Sequence, residues 1–196
     1  MGQLHNEASP PAGLAPVLPL AEQGASRSAK LENAWRGGQI GDRMIVRRRS
    51  LRETEWAMIR AFIRNTSRDD LRLRFGQSID FHDDATLKRF FDIRGEIGEL
   101  IFMLDDAGAI VGILHRVLVS PSEAEIALIV RSDRKRSGIG EKLLRAALSR
   151  AAKQRLKMLR ALILRENTPM LRLAGKVGLT PRESAGFAVE VEFVVG

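Results

Sequence analysis

Residues 123–144, EAEIALIVRSDRKRSGIGEKLL, place an alternating apolar segment, a basic glycine-containing loop and the start of an amphipathic helix in direct succession. The alternation over residues 123–130 predicts a strand, on which Glu125 is a single carboxylate among apolar neighbours. The leucine-rich segment after Gly140 has the spacing of a helix. This strand–loop–helix unit predicts a domain that mixes helices and strands around one sheet.

The loop DRKRSGIG at residues 133–140 allows three interpretations. Unpaired backbone N–H groups at a helix start bind anions, and Gly138 and Gly140 would let a phosphate approach the backbone closely. The same residues suit a plain strand–helix turn, and the three consecutive basic side chains suit a nucleic-acid patch. The spacing matches neither a Walker loop nor a dinucleotide-binding glycine fingerprint. The loop residues alone leave the three interpretations open.

Two parts of the chain differ in composition. Residues 1–43 are rich in Pro, Ala, Gly and Ser without sustained periodicity, which predicts a flexible N-terminal extension. From residue 44 onward, the apolar periodicity predicts the element order β-α-α-β-β-β-α-β-α-β, a single α/β (α+β) domain over residues 44–196. The segment SRDDLRLRFG at residues 67–76 is interpreted as an amphipathic connection between the first two helices.

Composition limits the possible functions. The chain has 196 residues, no cysteine and three histidines, so disulfides and thiolate chemistry are excluded and a metal site is not expected. No apolar run approaches a membrane-spanning length, and the lack of cysteine together with the lack of a signal-like leader predicts a cytoplasmic protein. The net charge of +8 favours an anionic partner. Aromatic residues make up only 5% and no reader motif is present, so a phosphorylated cofactor is favoured over nucleic acid.

A second motif follows the next predicted strand, where residues 167–179 read NTPMLRLAGKVGL. Together with the loop at 133–140, it resembles the GNAT superfamily, the acetyl-CoA-dependent N-acetyltransferases. In that family a [RQ]xxGx[GA] loop is followed by Asn-x-x-Ala-x-x-Leu-Tyr-x-Lys-x-Gly-Phe. The second pattern falls on Asn167, Met170, Leu173, Ala174, Lys176, Gly178 and Leu179. The resemblance covers residues 44–185, and SRDDLRLRFG and AEIALIVRSD are similar to the branch of bacterial protein lysine acetyltransferases.

The resemblance implies a GNAT-like mixed central sheet with helices on both faces, and acetyl-CoA as the acyl donor. The loop is implied to bind the pyrophosphate of coenzyme A, and the backbone of the preceding strand to bond the pantetheine arm. Asn167 is implied to contact the cofactor, the alternative being a plain helix N-cap. The implied cofactor-binding residues are Leu128, Ile129, Val130, Lys135, Arg136, Ser137, Gly138, Ile139, Gly140 and Asn167.

The chain departs from the family pattern in both motifs. Lys135 stands where Arg or Gln is usual, and Arg136 where Gly is frequent, so the loop stays positive. Met170 replaces the usual Ala, and Ala174 occupies the common Tyr position. That Tyr often serves as general acid toward the leaving thiolate in the family. Since the chain contains no tyrosine, no Tyr can fill this role.

Acetyl transfer to an amine needs a base, because a lysine amine has a pKa of about 10.4 and is protonated at neutral pH. Glu125 is the candidate base, since it resembles the catalytic Glu of the lysine acetyltransferase members in its place on the strand. Burial on the strand would raise its pKa and suit it to the task. Glu123 is its nearest competitor, and the element order places Phe75 and the pair Arg72 and Arg74 beside the acceptor site.

The expected function is therefore acetyl transfer from acetyl-CoA to an amine by direct attack. A protein lysine is the first acceptor considered, and neither a membrane nor a metal takes part. The alternative is an acyl-CoA-binding sensor that does not transfer efficiently, because the missing Tyr leaves the chemistry incomplete. The residues do not indicate the oligomeric state.

Overall fold

One seven-stranded sheet runs through the computed structural model, which describes residues 43–47, 50–92, 97–182 and 186–195. The strands are β1 (Arg43–Arg47), β2 (Gly98–Leu104), β3 (Ile110–Ser120), β4 (Glu123–Val130), β5 (Met158–Leu164), β6 (Thr180–Pro181) and β7 (Ala188–Val194). The helices are α1 (Glu53–Arg64), α2 (Arg68–Phe75), α3 (Asp84–Phe91), α4 (Ile139–Lys153) and α5 (Thr168–Lys176). The predicted extension over residues 1–43 lies outside the described residues, except for Arg43 at the start of β1.

The strand order is β1-β2-β3-β4-β5-β7-β6. All neighbouring strands pair antiparallel except β4 and β5, which are parallel. A parallel pair needs a crossover, and α4 supplies it between these two strands. The mixed α/β class predicted from the sequence is confirmed. None of the described helices is long and apolar enough to cross a membrane.

Helices cover both faces of the sheet, each over its own buried core. One core joins α4 and α5 to the sheet and includes Leu143, Ala174 and Ile126. The other joins α1, α2 and α3 to the opposite face and includes Ile59 and Ile129. Ile126 and Ile129 stand three positions apart on β4, so the period-2 alternation of a strand sends them to opposite cores. The expectation of helices on both faces therefore holds.

The segment SRDDLRLRFG forms a helix of its own, α2, where the sequence had been interpreted as a connection. The Ser67 hydroxyl accepts a hydrogen bond from the Asp70 backbone N–H at 3.1 Å, which caps the first turn. Gly76 ends the helix at a φ of +73°, a left-handed conformation that glycine adopts without strain. Eight residues carry too short a periodic pattern to distinguish this helix from an amphipathic connection, and the two caps define its ends.

Candidate active site

A cleft opens where β4 and β5 separate. The two strands pair only at Glu123↔Met158, Ala124↔Leu159 and Glu125↔Arg160, and no pairing continues beyond that point. Past Glu125, both strands line an opening of about 930 Å³. Glu125 is therefore the last residue of β4 that pairs with β5, and it borders the closed end of the cleft next to the lining residue Ile126. The strand segments that form its walls are 126–130 and 161–163.

The far end of the cleft is formed by the loop between β4 and α4. Gly138 precedes α4 at a φ of +82°, and no side chain caps the helix there. The backbone N–H groups of the first helical turn therefore have no side-chain acceptor, and they carry the positive end of the helix dipole. Lys135, Arg136 and Arg134 line the same end. This arrangement suits a phosphate group.

Gly140 sets how closely the two helices beside the cleft approach. A Cβ built on Gly140 would lie 2.8 Å from Leu173 Cδ2 of α5 and 3.7 Å from Val130 Cγ2. A side chain here would require the end of the Leu173 side chain to move. The second glycine of the loop thus lets Leu173 pack closely against the start of α4, whereas Gly138 suits its positive φ.

Helix α2 is tied to the loop through a buried carboxylate. Asp70 forms an ion pair with Lys135 and accepts a hydrogen bond from the Ser132 hydroxyl at 2.5 Å. Burial opposes its ionisation, but the hydrogen bonds from Lys135 and Ser132 hold the pKa of Asp70 below its usual value. In this structure Lys135 therefore contacts α2 as well as lining the cleft.

A second ion pair ties α2 to the opposite side of the cleft. Arg72 binds Glu166, immediately before Asn167, through Nη1 and Nη2 at 2.6 and 3.2 Å. Helix α2 thus connects the loop after β4 with the loop after β5. It packs across the gap between the two strands and contributes Asp70, Leu73 and Arg74 to the cleft lining.

Glu125 and Glu123 differ sharply in their surroundings. Glu123 forms an ion pair with Arg160. Glu125 makes no hydrogen bond or ion pair with any residue that the structure describes. Burial raises its pKa, Arg74 and Arg160 counteract this through their charge, and Glu190 adds to it. A half-buried carboxylate with a raised pKa and free oxygens can accept a proton, whereas the oxygens of Glu123 are engaged by Arg160.

Arg74 and His115 lie on the same side of the sheet as Glu125. The Arg74 guanidinium carbon is 4.7 Å from the centre of the Phe75 ring. Burial lowers the pKa of Arg74 to about 10, and Glu125 partly offsets this effect. Burial, and next the charge of Arg74, lower the pKa of His115 to about 4, so its imidazole is neutral at pH 7. Phe75 itself is buried against Phe91 in the core and does not line the cleft.

The structure brings most of the sequence-predicted cofactor residues together. Those that line the cleft are Leu128, Ile129, Val130, Lys135, Arg136, Gly138, Ile139, Gly140 and Asn167. Ser137 is not among the lining residues, and its hydroxyl donates to the Arg134 carbonyl at 2.5 Å. Asn167 lines the cleft and also caps α5, since its side chain accepts from the Met170 N–H at 3.2 Å. The two roles considered for Asn167 are compatible.

The sequence did not indicate a site role for Asp70, Ser132 or Arg134. Ser67 caps α2, and Asp70 reaches Lys135 across 65 positions of sequence. Arg134 lines the cleft. No local signal predicts these contacts because they depend on where α2 docks.

The described residues contain no group of three or more His, Asp or Glu side chains arranged to hold a metal ion. The residues present do fit a coenzyme A molecule. Two strands, two loops and α5 line the cleft, and its phosphate-binding features stand at one end. Glu125 is not among the lining residues, but it directly precedes the lining residue Ile126 at the other end. Loop cations, uncapped N–H groups and an apolar wall match the diphosphate and the pantetheine arm of that cofactor.

Comparison with known proteins agrees with this geometry. The family model described as "Acetyltransferase (GNAT) domain" matches residues 47–180. The GNAT domain of S. lividans PAT superposes with a TM-score of 0.68 at 17% identity, covering 78% of this chain and 90% of that one. The spermidine N-acetyltransferase from Vibrio cholerae, in complex with CoA and spermine, gives 0.63 at 14% identity over 78% and 95% of the two chains.

A third solved structure is similar as well. A phosphinothricin acetyltransferase from Sinorhizobium meliloti in complex with AcCoA superposes with a TM-score of 0.60 at 13% identity, covering 78% of this chain and 89% of that one. At these identities the likeness is one of fold. The family match spans more than half of the chain and includes both predicted motifs, so the enzyme class expected from the sequence, an acyltransferase, is confirmed. The chain belongs to the GNAT acetyltransferase family.

Proposed function

We propose that this protein transfers the acetyl group of acetyl-CoA to an amine, with Glu125 as the general base and a protein lysine as the acceptor. The observation that carries the proposal is the position of Glu125. It is the last paired residue before β4 and β5 separate, it has a raised pKa, and its oxygens are free of partners among the described residues. A base at the closed end of a cofactor cleft stands where the reacting atoms must meet.

The cofactor half of the site supplies binding and orientation. Acetyl-CoA would supply a thioester whose carbonyl carbon accepts the amine. The uncapped first turn of α4 and the loop cations Arg134 and Arg136 would hold the diphosphate. The backbone of Leu128, Ile129 and Val130 is open toward the cleft because β5 no longer pairs with this segment. Those of its N–H and C=O groups that face away from β3 can bond the pantetheine arm.

The acceptor half supplies proton removal. An ammonium group must lose a proton before it can attack, and a carboxylate with a raised pKa binds that proton more readily than an ordinary one. Burial is the main cause of the raised pKa of Glu125, while Arg74 and Arg160 keep it from rising further. The neutral His115 on the neighbouring strand adds no positive charge to repel the incoming amine.

The choice of a protein lysine rests on access. Leu162 lines the cleft on β5 and is 43% exposed, so the acceptor side of the sheet stays open to solvent. An open approach suits a lysine side chain presented on a large partner better than a closed pocket would. A cytoplasmic location, predicted from the sequence, is part of the same proposal.

Calorimetric titration with acetyl-CoA, followed by mass spectrometry of candidate proteins and free amines, tests the proposal. Glu125→Gln should lower turnover about 100-fold or more and leave acetyl-CoA affinity within about twofold, because it removes a base and no cofactor contact. Glu123→Gln is the matched control and should keep most of the turnover. Unchanged turnover in Glu125→Gln would remove Glu125 from the mechanism.

A sensor that binds acyl-CoA without transfer is the second candidate, favoured by the lack of any tyrosine. Tight acetyl-CoA binding with no acetylated product in any fraction would support the sensor. Failure to bind acetyl-CoA at millimolar concentration would contradict both candidates.

A further inference from the structure

Arg74 is a cation in the cleft without a hydrogen-bonding partner. Its guanidinium forms no hydrogen bond and no ion pair with the residues that the structure describes, and its central carbon lies 4.7 Å from the centre of the Phe75 ring. A half-buried guanidinium in this condition is costly, and the ring offsets only part of the cost. Such a group in a binding cleft points to an anion that arrives with a ligand.

The position of Arg74 narrows the choice of anion. Helix α2 packs against β4 and β5, and Arg74 lines the cleft beside the segment 126–130. Its charge acts on both Glu125 and His115, which lie on the same face of the sheet near the closed end. Arg74 therefore stands at the end of the cleft where the base lies, away from the loop that would hold the diphosphate.

The chemistry of the proposed reaction generates an anion at that place. The amine nitrogen forms a bond to the carbonyl carbon, the carbon–sulfur bond breaks, and sulfur leaves with the electron pair as a thiolate. Glu125 first takes one proton from the ammonium group and passes it to solvent. After the attack Glu125 takes the second proton from the nitrogen, and the thiolate takes up a proton from solvent on release. Nitrogen, carbon and sulfur lie within about 3–3.5 Å of one another in such a step, so a cation beside the base is within reach of the sulfur.

We infer that Arg74 is a catalytic residue that binds the leaving thiolate of coenzyme A through its guanidinium. The inference rests on the proposed function and deepens it, because it assigns the stabilisation of the leaving group to α2. A cation poised where negative charge develops lowers the barrier without transferring a proton.

The other cations of the cleft are already engaged or lie elsewhere. Lys135 is paired with Asp70, and Lys176 is paired with Glu141 at 2.6 Å. Arg134 and Arg136 belong to the loop at the diphosphate end, and Arg172 is exposed on α5. Of the lining cations in the described part of the chain, Arg74 is the one near the closed end.

Four charged or titratable groups face this end from the surrounding strands. His115 on β3 is neutral at pH 7, and Glu125 on β4 is the proposed base. Arg160 on β5 is paired with Glu123, and Glu190 on β7 lies 3.9 Å from Arg160. Any pH dependence of thiol binding must be separated from the titration of Glu125, so Glu125→Gln is included as a background in the experiment.

The test compares the affinities of coenzyme A and desulfo-coenzyme A, which differ only at the sulfur. A free thiol has a pKa of about 8.5, and a cation in contact lowers it by at least about one unit, so the affinity ratio should rise about eightfold between about pH 6 and about pH 9. Glu125→Gln should keep this rise. Arg74→Gln should abolish it, and Arg74→Lys should keep part of it.

The composition of the chain allows the thiolate to be followed directly by ultraviolet absorbance, as a second measurement. Because the protein has no cysteine and no tyrosine, ultraviolet absorbance from thiolate formation in the complex comes from bound coenzyme A alone. Titration of the wild-type complex should show a thiol pKa below that of free coenzyme A, and the Arg74→Gln complex should not. Arg68→Gln, at an exposed position of the same helix, is the control and should behave as the wild type.

The outcomes separate this inference from the proposed function. Equal pH dependence in the wild type and Arg74→Gln would overturn the role of Arg74 while leaving cofactor binding intact. A weaker acceptor affinity in Arg74→Gln with an unchanged thiol pKa would also overturn it, and would assign Arg74 to an anionic group of the acceptor. Absence of coenzyme A binding to the wild type would overturn the proposed function first, and this inference with it.

Discussion

Two glutamates on the same sheet, Glu99 on β2 and Glu125 on β4, have their pKa values displaced in opposite directions. Glu99 is only 1% exposed, yet hydrogen bonds and charge from Arg150 and Arg116 overcome its burial and lower its pKa to about 2. Glu125 is half-buried, and its pKa is raised because the nearest cations do not reach hydrogen-bonding distance. Contact with a cation, and not burial alone, decides the sign of the shift.

The difference teaches how to distinguish a structural carboxylate from a reactive one in this fold. Arg116 Nε donates to Glu99 at 2.7 Å, and Arg150 donates through two nitrogens at 3.0 Å each. This cluster joins α4 to β2 and β3 and keeps Glu99 ionised at neutral pH. Glu125 keeps its oxygens free and holds a proton more readily, which suits a base that must bind and release one.

The largest expected effect on stability comes from Glu99→Gln. The change removes the charge between two arginines and leaves both poorly compensated, so the free energy of unfolding should fall by about 3 kcal/mol or more. Glu125→Gln is the same substitution on the same sheet and should change stability by less than about 1 kcal/mol, because no ion pair is broken. Urea denaturation of the two variants makes the comparison. Similar losses of unfolding free energy in both variants would show that Glu99 contributes no more to stability than Glu125 does.

Lowering the pH should change the contributions of Glu99 and Glu125 to stability in opposite directions. The pKa of Glu99 is lowered in the folded state, so its stabilisation is present above about pH 4.5. It is lost as the pH falls toward about 2, and amounts to about 3 kcal/mol. The pKa of Glu125 is raised, so its ionisation destabilises the fold as the pH rises above its unfolded value.

The measurement is the unfolding free energy of the wild type and both Gln variants across the acid range. The difference between the wild type and Glu99→Gln should shrink as the pH falls. The difference between the wild type and Glu125→Gln should move in favour of the wild type over the same range. If the unfolding free energies of the two variants depended on pH in the same way, the opposite pKa shifts of Glu99 and Glu125 would be contradicted.

The sequence allowed the role of Glu125 to be predicted, but not that of Glu99. Glu125 could be placed because a period-2 strand runs directly into a recognisable loop and the contacts involved are local. Glu99 meets Arg116 and Arg150 across 17 and 51 positions, and no short pattern encodes that meeting. The fold class followed from local periodicity, and most of the cleft lining was implied by the resemblance of the two motifs to the GNAT family. Element order placed Arg74 beside the acceptor site, but its surroundings and the role of Asp70 could not be predicted, because both depend on the packing of α2 across β4 and β5.

Arg150→Gln should have a smaller effect than the loss of Glu99. The Arg150 side chain is 22% exposed at the C-terminal end of α4, and Arg116 would still pair with Glu99. We expect a loss of about 1–2 kcal/mol in unfolding free energy, measured by urea denaturation. Arg145→Gln on the same helix, which breaks an exposed pair with Glu141, should cost less than about 0.5 kcal/mol. If both variants lost the same amount, the Glu99 cluster would be no stronger than a surface pair.

The smallest effect should come from Glu190→Gln, which tests the cause of the raised pKa of Glu125. Glu190 is the carboxylate that adds to the raised pKa of Glu125, and it also lies 3.9 Å from Arg160, whose charge acts in the opposite direction. Removing its charge should lower the pKa of Glu125, so the acidic limb of the pH–rate profile should move to lower pH by a fraction of a unit. Glu192→Gln, next on the same face of β7 and paired with Arg182 at 3.3 Å, should leave the limb in place. A limb that does not move in Glu190→Gln, or that moves equally in both variants, would show that Glu125 does not set it.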